Sequence, residues 1–84
     1  MKLIILRYNK MNYGKAIKDL RAETNLTQKE LASRLKITIA ALWKIENGKC
    51  VPKYGTIKAV CKEFHIPVAY FFSKATTIED YIAL

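Results

Sequence analysis

The sequence has little of what enzymes and metal sites are commonly built from. It holds one histidine, His65, and two cysteines, Cys50 and Cys61, in 84 residues. Two cysteines at that spacing and one histidine make no zinc site. Nor do two cysteines form the framework of a disulfide-stapled domain, so both are read as free thiols in a reducing, cytoplasmic compartment. Cys61 falls on the expected inner face of a helix, where a thiol acts as a small apolar group. Carboxylates are scarce too, seven against fifteen Lys and Arg. They are scattered, with only Glu79 and Asp80 adjacent, and so offer no cluster for a catalytic metal. There is no G-x-S-x-G elbow and no phosphate-binding loop. No enzyme, metal or cofactor is expected from such a chain. Long apolar runs are missing as well. Leu3-Ile4-Ile5-Leu6 stops at Arg7, shorter than the core of a signal peptide and far short of a membrane span.

What is present is positive charge, unevenly placed. The formal net charge is +8. Residues 1–53 carry twelve Lys and Arg against four Asp and Glu, while residues 54–84 carry three of each. The whole excess therefore sits on one part of the chain, as expected for a protein that meets a polyanion. The length suits one domain, and 51% apolar residues with helical spacing argue for a packed globule. No separate small-molecule sensor domain is expected within this length.

That basic part contains the most informative stretch, Thr24 to Gly48. Thr27-Gln28-Lys29-Glu30 has the form of a capping box, and Leu31, Ala32 and Leu35 follow on one helical face. Lys36-Ile37-Thr38 is short enough to be only a turn, and Thr38 can cap the next helix. That helix should run from about Ile39 to Asn47, with Gly48 as its left-handed stop. At about 100° per residue, Ala41, Leu42 and Ile45 turn inward with Thr38. Ile39, Ala40, Trp43, Lys44 and Asn47 turn outward. Two short helices and a tight turn make a helix-turn-helix unit, whose second helix can enter a DNA major groove; an ordinary α-hairpin in a bundle is the alternative.

Around this unit the spacing predicts a first helix over Tyr13 to Glu23, with Ile17 and Leu20 inward and Asn25 at its exit. Pro52 falls at or near the first turn of a fourth helix, about Lys53 to Phe64, whose Ile57, Val60, Cys61 and Phe64 face the core. Gly55 is a weak point in that helix, and His65 suits its C-terminal cap. Pro67 opens a fifth helix, Val68 to Phe72. Five apolar residues in a row exceed what one small core can take. Val68, Phe71 and Phe72, with Ile78, Tyr81 and Ile82 further on, are therefore expected at a dimer interface. Leu3 to Tyr8 reads as a short strand or an apolar arm. The expected organisation is an arm over 1–12, a DNA-binding domain over 13–73 and a tail over 74–84.

Several of these elements together resemble a known family. Leu26-Thr27-Gln28, Glu30-Leu31-Ala32, Ile45-Glu46-Asn47-Gly48-Lys49 and Pro52 look like the phage-repressor and Cro-type (XRE-like) helix-turn-helix. The likeness runs from about Gly14 to Phe72. It implies an all-α, five-helix, lambda-repressor-like fold with the helix-turn-helix at helices 2 and 3. Lys36 stands where the family usually has Gly. Ile39, Ala40 and Trp43 stand where polar base readers are common. The resemblance also implies that Arg21 and Glu46 form an internal ion pair, first helix against the end of the third.

The function that follows is sequence-specific binding of double-stranded DNA by a homodimeric transcriptional regulator, a repressor by preference. Base contacts are expected from Ile39, Ala40, Trp43 and Lys44, of which only Lys44 donates hydrogen bonds directly to base acceptors. Gln28 sits at a helix N-terminus, where free N–H groups attract a phosphate. The resemblance adds Asn47, Lys49 and Lys53 as further phosphate contacts, which fix register without reading sequence. An antitoxin or a restriction–modification controller of the same fold is one alternative. A helix-turn-helix used only to bind protein, anchored by Ile39 and Trp43, is another.

Overall fold

The computed structural model describes residues 12–75, without the side chain of Lys74. The expected arm at Leu3 to Tyr8 and the tail positions Ile78, Tyr81 and Ile82 lie outside the described residues. Within them the chain forms α1 (Tyr13–Glu23), α2 (Gln28–Leu35), α3 (Ile39–Glu46), α4 (Tyr54–Glu63) and α5 (Val68–Ala75), and no strand. No helix among the described residues is long and apolar enough to cross a membrane.

Local chemistry sets these boundaries. Asn12 caps α1 by accepting from the Lys15 amide at 3.0 Å. Thr27 and Glu30 form the full capping box at the start of α2, each accepting from the other's backbone N–H at 3.0 Å. The hydrogen bond from the Thr27 backbone, helped by the Thr27 hydroxyl, holds the Glu30 carboxyl below its usual pKa. Thr38 caps α3 by accepting from the Ala41 amide. The helices end where the backbone turns left-handed, at Asn25 (φ 56°), Lys36 (φ 59°), Gly48 (φ 70°) and His65 (φ 55°). Only Gly48 adopts that conformation without a Cβ penalty.

The five helices enclose one core. α1 packs on α3 and α5, α2 on α3 and α4, and α4 on α5. Ile17, Leu31, Leu42 and Val60 are completely shielded from water at its centre. Cys61 is buried beside them, and burial raises its thiol pKa. α1 approaches α3 closely at Gly14, where a Cβ would fall on the carbonyl oxygen of Ile45. A glycine there lets the two backbones meet.

α5 corrects the expected assignment of its apolar run. It extends through Ser73 to Ala75, past the expected boundary at residue 73, and Ala75 is buried. The Asn12 amide donates to the Ala75 carbonyl at 2.7 Å, which ties this end of α5 to the start of α1. Phe71, expected at a dimer interface, is fully buried in its own chain. Val68 and Phe72 are half-buried against the same core. The reason is helical spacing: residues 68, 71, 72 and 75 share one face, and α1 and α4 cover it. Tyr13 supplies much of that cover, with its ring 6.1 Å from Phe71 and 5.9 Å, edge on, from Phe72. The outward positions of α5 are instead Ala69, Tyr70 and Ser73.

Candidate nucleic-acid interface

α3 is amphipathic in an unusual sense. Leu42 and Ile45 are buried on its inner side, as their spacing predicts, and Ala41 is half-buried at the edge, but Thr38, expected inward, is exposed because its hydroxyl serves as the N-cap. Its outer side carries two large apolar groups, Ile39 and Trp43, each 47% exposed. Ala40, Lys44 and Asn47 are exposed beside them. One helix face thus offers a cation, a polar amide, an indole and aliphatic carbon to whatever it meets. Such a face can touch thymine methyls with Ile39 and Ala40 and guanine acceptors with Lys44.

The inner end of α3 is held by a polar cluster. Glu46, its last residue, has a side chain only 1% exposed. A carboxylate at a helix C-terminus meets the negative end of the helix dipole, so it needs compensation. Arg21 provides it from α1: Nε donates to Oε2 at 2.8 Å and Nη2 to Oε1 at 3.0 Å. The fork is bidentate, the strongest geometry for this pair. Arg21 Nη1 donates to the Leu26 carbonyl at 3.0 Å, so one guanidinium fixes α1, the α1–α2 link and α3 together.

Gln28 joins the same cluster. Its Nε2 donates to Glu46 Oε1 at 2.9 Å, so the side chain expected on a phosphate is turned toward the carboxylate. The backbone N–H groups at the start of α2 remain the anion-attracting feature there. The link from Gln28 to Glu46 was not legible in the chain, because the two residues are separated by a turn and a helix with no shared pattern. Gly14 was missed for a similar reason. A glycine early in a helix signals close approach but does not name the neighbour.

The remaining expected contacts are all exposed. Asn47 donates one amide hydrogen to the Trp43 carbonyl at 2.8 Å, which closes the end of α3 and leaves a second donor. Lys44, Lys49 and Lys53 make no ion pair among the described residues. Lys53 occupies the N-cap of α4 without a side-chain cap bond. Beside it Val51 and Tyr54 are 69% and 61% exposed, and the Lys58 ammonium lies 5.7 Å from the Tyr54 ring centre. Sequence reasoning gave these last residues no role, since isolated exposed apolar groups carry no periodic signal.

Comparison with known proteins agrees with this arrangement. A family model described as a helix-turn-helix domain matches residues 14–76. Over 70 residues, 82% of this chain and 52% of the relative, the sequence is 37% identical to the HTH-type transcriptional repressor RghR of Bacillus subtilis (strain 168). It is 33% identical over 58 residues to the HTH-type transcriptional activator BcrR of Enterococcus faecalis, covering 69% of this chain and 28% of that protein. It is 29% identical over 68 residues to the cryptic phage CTXphi transcriptional repressor RstR of Vibrio cholerae, covering 81% of this chain and 61% of the relative. The chain thus spans between about a quarter and three fifths of these relatives. The capped α2–turn–α3 unit, the Arg21–Glu46 pair behind it and the match over residues 14–76 lead to one assignment: the chain belongs to the helix-turn-helix domain family, of the phage-repressor and Cro (XRE-like) type.

Proposed function

We propose that this chain binds double-stranded DNA in the cytoplasm as a regulator of transcription, with α3 in the major groove. The observation that carries the reading is the outer face of α3, where Ile39, Ala40, Trp43 and Lys44 are exposed on a helix locked from behind by Arg21, Gln28 and Glu46. A base-reading helix needs this rigidity, because hydrogen bonds to base edges tolerate little angular error. Lys49, Lys53, Asn47 and the N-terminus of α2 would then hold the flanking phosphates. Two of the three relatives are named repressors, which favours that direction of control. Binding should weaken steeply with salt as each Lys or Arg on a phosphate displaces counterions, roughly one unit of log–log slope apiece. Fluorescence anisotropy on duplex DNA from low to physiological salt measures this, and no binding at low salt would overturn the reading.

The assembly is proposed to be a homodimer on half-sites roughly 34 Å apart. Phe71 is buried within its own chain, which leaves the partly exposed sides of Val68 and Phe72, with Ile78, Tyr81 and Ile82, as the assigned pairing positions. Sedimentation of the full chain should show a dimer at micromolar concentration. A single 9.7 kDa species that still binds operator tightly would contradict it.

A second reading keeps the fold and changes the partner. Two half-exposed large apolar groups on one helix also suit a protein groove, with Ile39 and Trp43 as anchors. That contact would be nearly insensitive to salt, so the anisotropy experiment separates the two.

A further inference from the structure

The C-terminal ends of α2 and α4 enclose a groove of about 410 Å³ that the DNA reading does not use. Its floor is apolar, from Leu35 and Ala59, and its rim is cationic, from Arg34, Lys36 and Lys62. One carboxylate, Glu63, lies on the rim, and it is already engaged by Arg34 Nη1 at 2.9 Å. Lys36 and Lys62 make no ion pair among the described residues, and His65 adds a ring nitrogen at the edge. The groove therefore keeps an unbalanced positive charge around a greasy centre.

Its position sets it apart from the proposed DNA face. Gln28 and Lys53, which would meet phosphates, lie at the N-terminal ends of α2 and α4. The groove lies at the opposite ends of the same two helices, which the Arg34–Glu63 bridge holds together. At 1.5 Å per residue, that is on the order of 10 Å along each helix axis. Two rim residues, Lys36 and His65, also occupy left-handed backbone positions (φ 59° and 55°) where glycine would be less strained. A glycine at either position would carry no charge or ring to the rim.

We propose that this groove docks an acidic segment of a partner protein, one in which carboxylates flank a single large apolar side chain. The apolar group would sit on Leu35 and Ala59, with the carboxylates on Lys36 and Lys62. Charge complementarity selects an acidic partner, and the apolar floor selects a peptide over a nucleic acid, whose phosphates have nothing to place there. No α3 residue lines the groove, and Lys36, in the turn that leads into α3, is the lining residue nearest to it in sequence.

The test is chemical-shift mapping of the full chain, free of DNA, with a synthetic peptide of about ten residues in which Asp and Glu flank one Phe. Perturbed amides should be confined to residues 34–36 and 59–65. A peptide of equal charge with Phe replaced by Ser should bind at least about tenfold more weakly, the loss expected when one large apolar side chain is no longer buried. The Lys36→Gln/Lys62→Gln double variant should lose about tenfold for the peptide while changing duplex affinity by less than about threefold at ~150 mM salt. Should that variant be poorly folded, the wild-type map and the Phe/Ser comparison decide alone. Perturbations spread over α3 and the Lys49–Lys53 loop, or equal binding of both peptides, would overturn the proposal. So would a duplex that perturbs the groove amides and competes with the peptide, which would make the groove part of the DNA face.

Discussion

Arg21 and Glu46 carry more of the site's geometry than any residue that would touch DNA. The Glu46 carboxylate accepts three N–H donors, two from Arg21 and one from Gln28, and is almost wholly shielded. Removing the arginine leaves a desolvated anion at the negative end of α3, which is the expensive way to break such a pair. Arg21→Met or Glu46→Leu should each destabilise the fold by about 3–5 kcal/mol in urea unfolding. The double variant should cost less than the two singles combined, because neither charge is then left alone. Strict additivity would show that the two side chains are not coupled. Gln28→Ala should have a smaller effect, about 1 kcal/mol, since Arg21 still satisfies both carboxylate oxygens. The ion pair was expected from resemblance. The third donor was not, because nothing in the local sequence marks Gln28 as facing Glu46.

Among the elements, two glycines with opposite roles test the packing account. Gly14 lies where α1 and α3 touch backbone to backbone, so a methyl group there has no room. Gly14→Ala should cost about 1–3 kcal/mol by forcing α3 away from α1. Gly55 lies in the first turn of α4 with open space around it. Gly55→Ala should therefore stabilise the fold by about 0.5–1 kcal/mol through a stiffer unfolded chain. Urea midpoints decide both, and a neutral Gly14→Ala would mean that α1 and α3 lie further apart than described. The caps and stops of α2 and α3 were legible because they depend on neighbours within four residues: Thr27 with Glu30, Thr38 with Ala41, Gly48 after Asn47. α5 was not, because its fate depends on what packs against it. The run Val68 to Phe72 has the composition of an interface, and the packing of α1 and α4 on one face of α5, with Tyr13 against Phe71, shows that Phe71 belongs inside.

At the scale of the molecule, charge and shape divide the surface into two regions of different character. The outer face of α3 and the N-terminal ends of α2 and α4 gather the residues suited to a duplex. The C-terminal ends of α2 and α4 form the cationic groove. The uneven charge of the chain anticipated the first region, and the second needed the fold, since Lys36 and Lys62 lie far apart in sequence. We propose that α3 reads base edges while the loop after it only holds phosphates. Operator selected from random duplexes, then titrated with single-base variants, measures this directly. Lys44→Ala should lose preference at one base pair, a change of ~1–3 kcal/mol there, and leave the other positions as they were. Lys49→Ala should weaken every sequence about equally and flatten the salt slope by about one unit. If Lys44→Ala instead scales affinity uniformly, as Lys49→Ala should, then Lys44 is not reading sequence and the face of α3 has another partner.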